Sequence, residues 1–325
     1  MEKLLEVKDL QVSFNVYNGE VRAVRGVSFD LYPGETLSIV GESGCGKSVS
    51  MQTIMGLIPM PPAQIKGGSI RYKGEEILNK TDAEMEKYRG KEFAMVFQDS
   101  MTSLNPTQTV GDQILEVLNL HFPEMTREEK NKRVDEMMTL VGIPPQRKKS
   151  FPHEFSGGMK QRVVIAMALV AEPELLLADE PTTALDVTIQ AQILELMKQL
   201  REKFNTSVML ITHDLGVVAQ FCDSVSVVYA GRVVEYGPVE IVFQRKENHP
   251  YTAGLFNCIP NLHDDQPRLH PIAGHMADPR VEYKGCCFAD RCEYATERCR
   301  TEAPSMHVCG EHGILCHRYA EKEEF

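Results

Sequence analysis

Residues 41–48 read GESGCGKS and follow the apolar run TLSIV at residues 36–40. This is a complete G-x-x-x-x-G-K-[ST] loop between a strand and a helix expected to start near Val49. Nothing else in the chain limits its fold as tightly, because strand, glycine-rich loop and helix must follow in that order. The glycines let the backbone curl so that its N–H groups form an anion nest, and the helix start adds its positive end. Lys47 is spaced to reach the β- and γ-phosphates of a polyphosphate, and the Ser48 hydroxyl to take Mg²⁺. Gly41, Ser43, Gly44, Cys45, Gly46, Lys47, Ser48 and Val49 are the expected nucleotide-binding set. The bland alternative is a glycine-rich turn with a chance lysine, and the flanking strand and helix patterns disfavour it.

Around this loop the periodicity changes repeatedly. Residues 4–37 alternate apolar and polar side chains between glycine and proline punctuation, which predicts antiparallel strands. Residues 67–77 read as a hairpin, 93–98 as a buried strand, and 110–141 as amphipathic helix interrupted by HFPEMTREEK. The helix after the loop is expected to run to about Ile58. Helix resumes after Gly158, and Pro173 leads into the buried strand LLLADE. A helix at 189–204, a strand at 207–213 and a hairpin at 224–237 follow. Beyond Gln244 periodicity fades while Pro, His and Cys rise, so a boundary is expected within residues 238–248. No internal repeat is found.

The 325 residues suffice for one large α/β domain with an appendage, and 42% hydrophobic content supports a core. A net charge of −11 argues against a general binder of phosphate backbones, so no nucleic-acid partner is expected. No apolar run reaches the roughly 18–20 residues that span a bilayer, and the N-terminus lacks a secretory core. The expected place is the cytosol, with any membrane link made through a partner. Of nine cysteines, six crowd into residues 286–316. In a reducing compartment that clustering suggests metal rather than disulfides.

Further residues carry chemistry. The apolar strand before Asp179 and Glu180 ends in two acids. Asp179 suits the side of Mg²⁺, and Glu180 a general base for water, although such pairs are often solvated turn residues. Ser156, Gly157 and Gly158 precede a helix, where Ser156 can cap it and the glycines can bare N–H groups to an anion. His213 follows a strand and could sense a γ-phosphate and hold water in line; it could equally be a packed histidine. Gln98 ends its strand and could reach Mg²⁺ and water.

Taken together, GESGCGKS, Gln98, FSGGMKQR, LLLADE, ALD (residues 184–186) and His213 resemble the ATP-binding cassette ATPases, in the family's order, across residues 4–238. The signature departs as FSGGM from the common LSGGQ, leaving Ser156 and both glycines intact, and Cys45 occupies a variable position as filler. The resemblance implies a P-loop NTPase core with an antiparallel β subdomain and a helical subdomain. It implies head-to-tail dimers in which Ser156–Gly158 act on ATP held by the other cassette, with Asp186 in the linking loop. It also implies an adenine-stacking aromatic, Phe14 first and Tyr17 second, though either could be sheet packing.

The tail at residues 285–320, with NHPYTAGLFNCIP and FQDSMTSLNP, is similar to the oligopeptide/dipeptide-importer ATPases. That likeness implies an ABC nucleotide-binding domain over residues 1–244, with its helical part at about 99–165, and an extension over 245–325. Cys286, Cys292, Cys299 and Cys316 fit the family positions for a [4Fe–4S] cluster acting as a structural staple. Zinc is the alternative, with His307, His312 and His317 nearby, and unligated thiols the third reading. Cys287 could compete with Cys286, and Cys309 with Cys316. The implied function is the ATPase subunit of a di- or oligopeptide importer at the cytoplasmic face of the membrane. Its implied partners are a second ATPase in a heterodimer, two permease subunits and an extracellular or periplasmic peptide-binding protein. Import of nickel or another small solute is the near alternative. A non-transport cassette acting on nucleic acid or ribosomes is the distant one, since no second cassette or long heptad run is present.

Overall fold

The apolar runs and their turn residues become strands β1 (Leu5–Val16), β2 (Gly19–Leu31), β3 (Thr36–Val40), β4 (Ala63–Tyr72), β5 (Glu75–Glu76), β6 (Phe93–Val96), β7 (Leu175–Asp179), β8 (Ser207–Thr212), β9 (Ser224–Tyr229), β10 (Arg232–Pro238), β11 (Met306–Cys309) and β12 (His312–Leu315). The helices are α1 (Lys47–Ile54), α2 (Asp82–Met85), α3 (Ser100–Ser103), α4 (Val110–His121), α5 (Arg127–Leu140), α6 (Gly157–Leu169), α7 (Val187–Phe204), α8 (Leu215–Phe221), α9 (Val239–Val242), α10 (Pro250–Asn257) and α11 (Glu297–Thr301). This computed structural model describes residues 2–17, 19–183, 185–244, 246–259, 271–320 and 322, with Ser100 and Met101 described by backbone alone. The chain divides into a first unit (Met1–Leu4, Leu31–Thr36, Asn79–Ile211) and a second (Leu5–Asp30, Leu37–Leu78, Thr212–Phe325).

In the first unit β7 runs parallel to β6 on one side and β8 on the other. Every residue of β7 is buried, as expected of a strand covered on both faces. Between β6 and β7 the chain is helical. Thr109 caps α4, and Thr126 and Glu129 form a reciprocal capping box on α5, each such cap contributing about 1 kcal/mol. α6 packs against α4 and β6; Val163, Ile165 and Leu169 of α6 and Ile114 and Leu118 of α4 are all buried.

In the second unit β1 pairs antiparallel with β4, in a sheet ordered β2-β1-β4-β5. β3 pairs parallel with β9, and β9 antiparallel with β10. The end of the chain adds to this ladder: β12 pairs antiparallel with β10, and β11 with β12. Val40, Val227, Tyr229, Tyr251, Phe256 and Phe288 share one buried cluster. The fading periodicity after Gln244 therefore hides an ordered helix and hairpin. The helix after the glycine loop is also shorter than expected, because α1 stops at Ile54 and Gly56 turns left-handed at φ 61°. Among the described residues no helix is long and apolar enough to cross a membrane.

Candidate functional site

The second unit carries the glycine-rich loop. Gly46 caps α1 at φ 100° with no side-chain bond, and a Cβ there would lie 2.3 Å from the Ala23 carbonyl oxygen. Only glycine fits that close approach. Lys47 is 6% exposed. Its Nζ donates to the carbonyls of Gly41 at 2.7 Å and Glu42 at 2.9 Å, and lies 3.7 Å from Cys45 Sγ. The ammonium is thus desolvated yet paired, folded onto the loop that it would leave to meet phosphate. Cys45 is buried, and burial pushes its thiol up while Lys47 pulls it down. Ser43 and Gly44 are exposed at the tip, and Ser48 and Val49 half-buried.

Phe14 lies half-buried on β1 opposite Ala63 of β4. Tyr17, just past β1, is fully exposed. His213 follows β8 and is exposed, and its neighbour Asp214 caps α8 by accepting from the N–H of Gly216 at 2.8 Å.

The first unit carries the acids. Asp179 ends β7 and is 5% exposed. Glu180 follows at φ 47°, a left-handed backbone that L side chains rarely adopt. Its N–H donates to the Ile211 carbonyl at 2.9 Å. Its Oε2 accepts from Gln98 Nε2 at 3.1 Å and from Thr183 Oγ1 at 2.8 Å. A carboxylate aimed by two donors at a strand end is suited to taking a proton from water. The fold thus gathers Gln98 and Glu180, 82 residues apart. Thr183, which sequence reading passed over, joins them; a hydroxyl three residues beyond the acid was the available signal.

Ser156 caps α6, its Oγ accepting from Met159 N–H at 3.4 Å. Gly158 has a packing role that the anion argument missed: a Cβ there would sit 2.6 Å from Ile189 Cγ2 of α7. Asp186 caps α7 by accepting from Ile189 N–H at 2.9 Å. Ala184, of the expected ALD element, lies outside the described residues, as does Pro260.

In the tail, Cys286, Cys292, Cys299 and Cys316 line one small pocket of about 20 Å³, with His249 and Phe288. Burial pushes the Cys286 thiol up to about 12 and raises Cys292 and Cys316. Burial also drives His249 down to about 3, so its imidazole is neutral and Nδ1 accepts from Tyr251 N–H at 3.1 Å. Cys287 faces Arg25 and Arg232 instead, and Cys309 pairs with His312 across the β11–β12 turn. The geometry therefore selects Cys286 and Cys316 over their rivals as lining residues. His312 is committed elsewhere, its Nε2 bonding Glu235 Oε1 at 2.8 Å. Among the described residues no three His, Cys, Asp or Glu side chains are gathered to hold one metal ion. That finding supports neither the expected [4Fe–4S] cluster nor its zinc alternative, and the structure does not show a metal-stapled tail.

Comparison with known proteins covers nearly the whole chain. Residues 11–183 match the family described as ABC transporter, and residues 234–299 match "Oligopeptide/dipeptide transporter, C-terminal region". The chain is 51% identical over 319 residues to the dipeptide transport ATP-binding protein DppD of Bacillus subtilis, spanning 97% of this chain and 95% of that protein. It is 54% identical over 329 aligned residues to the oligopeptide transport ATP-binding protein OppD of the same organism, spanning 99% and 91%. Among solved structures it is similar to the ATP-binding cassette MJ0796 in a dimeric post-hydrolysis state bound to ADP and Pi. There the TM-score is 0.65 at 28% identity, over 72% of this chain and 98% of that one.

Proposed function

The chain belongs to the ABC transporter ATPase family, and from that membership we propose that it is the ATP-hydrolysing subunit of a membrane importer of di- or oligopeptides. One observation carries the reading: the likeness to peptide-transport ATP-binding proteins runs through both the cassette and the C-terminal region, over 97% or more of the chain.

The chemistry is in-line attack of water on the γ-phosphate. The loop from Gly41 to Val49 holds the phosphates, and Lys47 leaves its carbonyl partners for the β- and γ-phosphoryl oxygens. Phe14 stacks on adenine, with Tyr17 the less buried alternative. Ser48, Gln98 and Asp179 are hard oxygen donors suited to Mg²⁺, which would supply charge neutralisation. Glu180 takes the proton from water and His213 keeps that water in line. Ser156–Gly158 act on ATP held by a second cassette, so nucleotide belongs to the dimer interface and its binding favours association. The second cassette is a distinct chain, two permease subunits receive the helical region near Gln98, and a peptide-binding protein delivers the solute. Phe97, 46% exposed beside Gln98, gives that docking an apolar contact.

The shared lining of one pocket by Cys286, Cys292, Cys299 and Cys316, at the positions the family resemblance implies, is the support for a [4Fe–4S] cluster, which would staple this segment. Protein purified without oxygen is then expected to be brown and to contain iron; colourless, iron-free protein would sink that part. The wider reading is tested by a Mg-ATP titration of the Lys47→Ala variant and by co-purification from native membranes. Unchanged affinity in the variant removes the loop assignment. Absence of permease subunits from the purified complex removes the importer.

A further inference from the structure

The second residue of the glycine-rich loop is held from the far end of the chain. Arg291 Nη1 donates to Glu42 Oε2 at 2.7 Å, and Nη2 to Oε1 at 3.0 Å, a bidentate pair. The Arg291 side chain is 5% exposed and that of Glu42 27%. Nε of Arg291 donates to the Ala273 carbonyl at 3.0 Å, and its guanidinium lies 5.7 Å from the Tyr229 ring centre. From another side, the Glu42 N–H donates to Tyr251 Oη at 2.8 Å. Tyr251 is fully buried, packed 4.7 Å from Tyr229 and 5.5 Å from Phe288 between ring centres. Backbone and carboxylate of Glu42 are therefore both fixed by residues beyond position 250.

Two physical consequences follow for an anion site. A glycine-rich loop loses conformational freedom when it closes on a ligand, and fixing Glu42 beforehand removes part of that cost. Within the loop, the Glu42 carbonyl is held by Lys47 Nζ at 2.9 Å and reached by Cys45 N–H at 3.4 Å, while its N–H and carboxylate are held from outside the loop. Second, an unneutralised carboxylate at position 42 would repel phosphate, and Arg291 cancels it. The Glu42 carbonyl is in turn one of the two that hold Lys47.

We infer that Arg291 and Tyr251 are positioning residues for the nucleotide site, presetting the first turn of the loop and neutralising Glu42. The C-terminal region thereby sets ATP affinity through Glu42. The inference rests on the reading of Gly41–Ser48 as a triphosphate loop.

The test is Mg-ATP titration of the full chain carrying Arg291→Met, Tyr251→Phe, Glu42→Gln, or Glu42→Gln with Arg291→Met. Arg291→Met is expected to weaken binding about tenfold and Tyr251→Phe about threefold. The double variant is expected to bind more tightly than Arg291→Met alone, because the stranded carboxylate has gone. A merely structural arginine would give no such recovery. Parent-like affinity in Tyr251→Phe, or a double variant no tighter than Arg291→Met, overturns the inference. Tyr251→Phe removes one oxygen and keeps the ring packing, so it decides the matter alone where Arg291→Met does not fold. Parent protein that binds Mg-ATP while these variants bind equally well leaves the loop reading standing and removes only the clamp.

Discussion

Glu180 holds a left-handed backbone that costs about 1–3 kcal/mol, and two side chains aim its carboxylate. Such a position is maintained for its side chain. Glu180→Gln is therefore expected to keep ATP affinity and to lower turnover about a hundredfold or more, read by paired binding and phosphate-release assays. Parent-like hydrolysis would remove the base assignment. Thr183→Val deletes one of the aiming donors and is expected to slow turnover about five- to tenfold. Glu180 was legible because an apolar strand ended in acids after a phosphate loop. Thr183 was not, because a hydroxyl in a TTAL turn has many ordinary uses. Cys45 read as filler, yet it is buried against Lys47, a contact made by the loop's curl rather than by any residue pattern.

At the scale of elements, α6 and α7 meet where Gly158 faces Ile189. Adding a methyl by Gly158→Ala overpacks that contact and is expected to cost about 1–3 kcal/mol, measured by chemical denaturation. Ile189→Ala in the same chain should recover part of the loss, and a fully additive pair would show that the contact is not the cause. The strands up to β10 and the helices α1 and α4 to α7 were legible from apolar pattern and turn residues. The helix α10 was not, because Pro250 reads as a breaker although it sits in the first turn, where its missing N–H costs nothing. β11 and β12 span four residues each, too few for alternation to register.

At the scale of the molecule, distant segments converge on single buried groups. Glu235 is fully buried and accepts from His312 Nε2 at 2.8 Å, Asn248 Nδ2 at 2.7 Å and His249 N–H at 2.8 Å. Glu235→Ala strands three polar partners and is expected to destabilise the chain by about 3–5 kcal/mol, visible as a drop in Tm. A melting temperature within a degree or two of the parent's would show that the network contributes little. Motif spacing cannot reveal such hubs. The partners of Glu42 lie 209 and 249 residues away, and only the folded chain pairs them.

The pairing of β12 with β10 has a genetic corollary. A premature stop codon at position 312 would remove β12 and bare a raw sheet edge on β10, a template for clumping with sister molecules. It would also strip His312 from Glu235. Late nonsense alleles of this gene should thus yield sticky, rapidly degraded polypeptide rather than a trimmed but working enzyme.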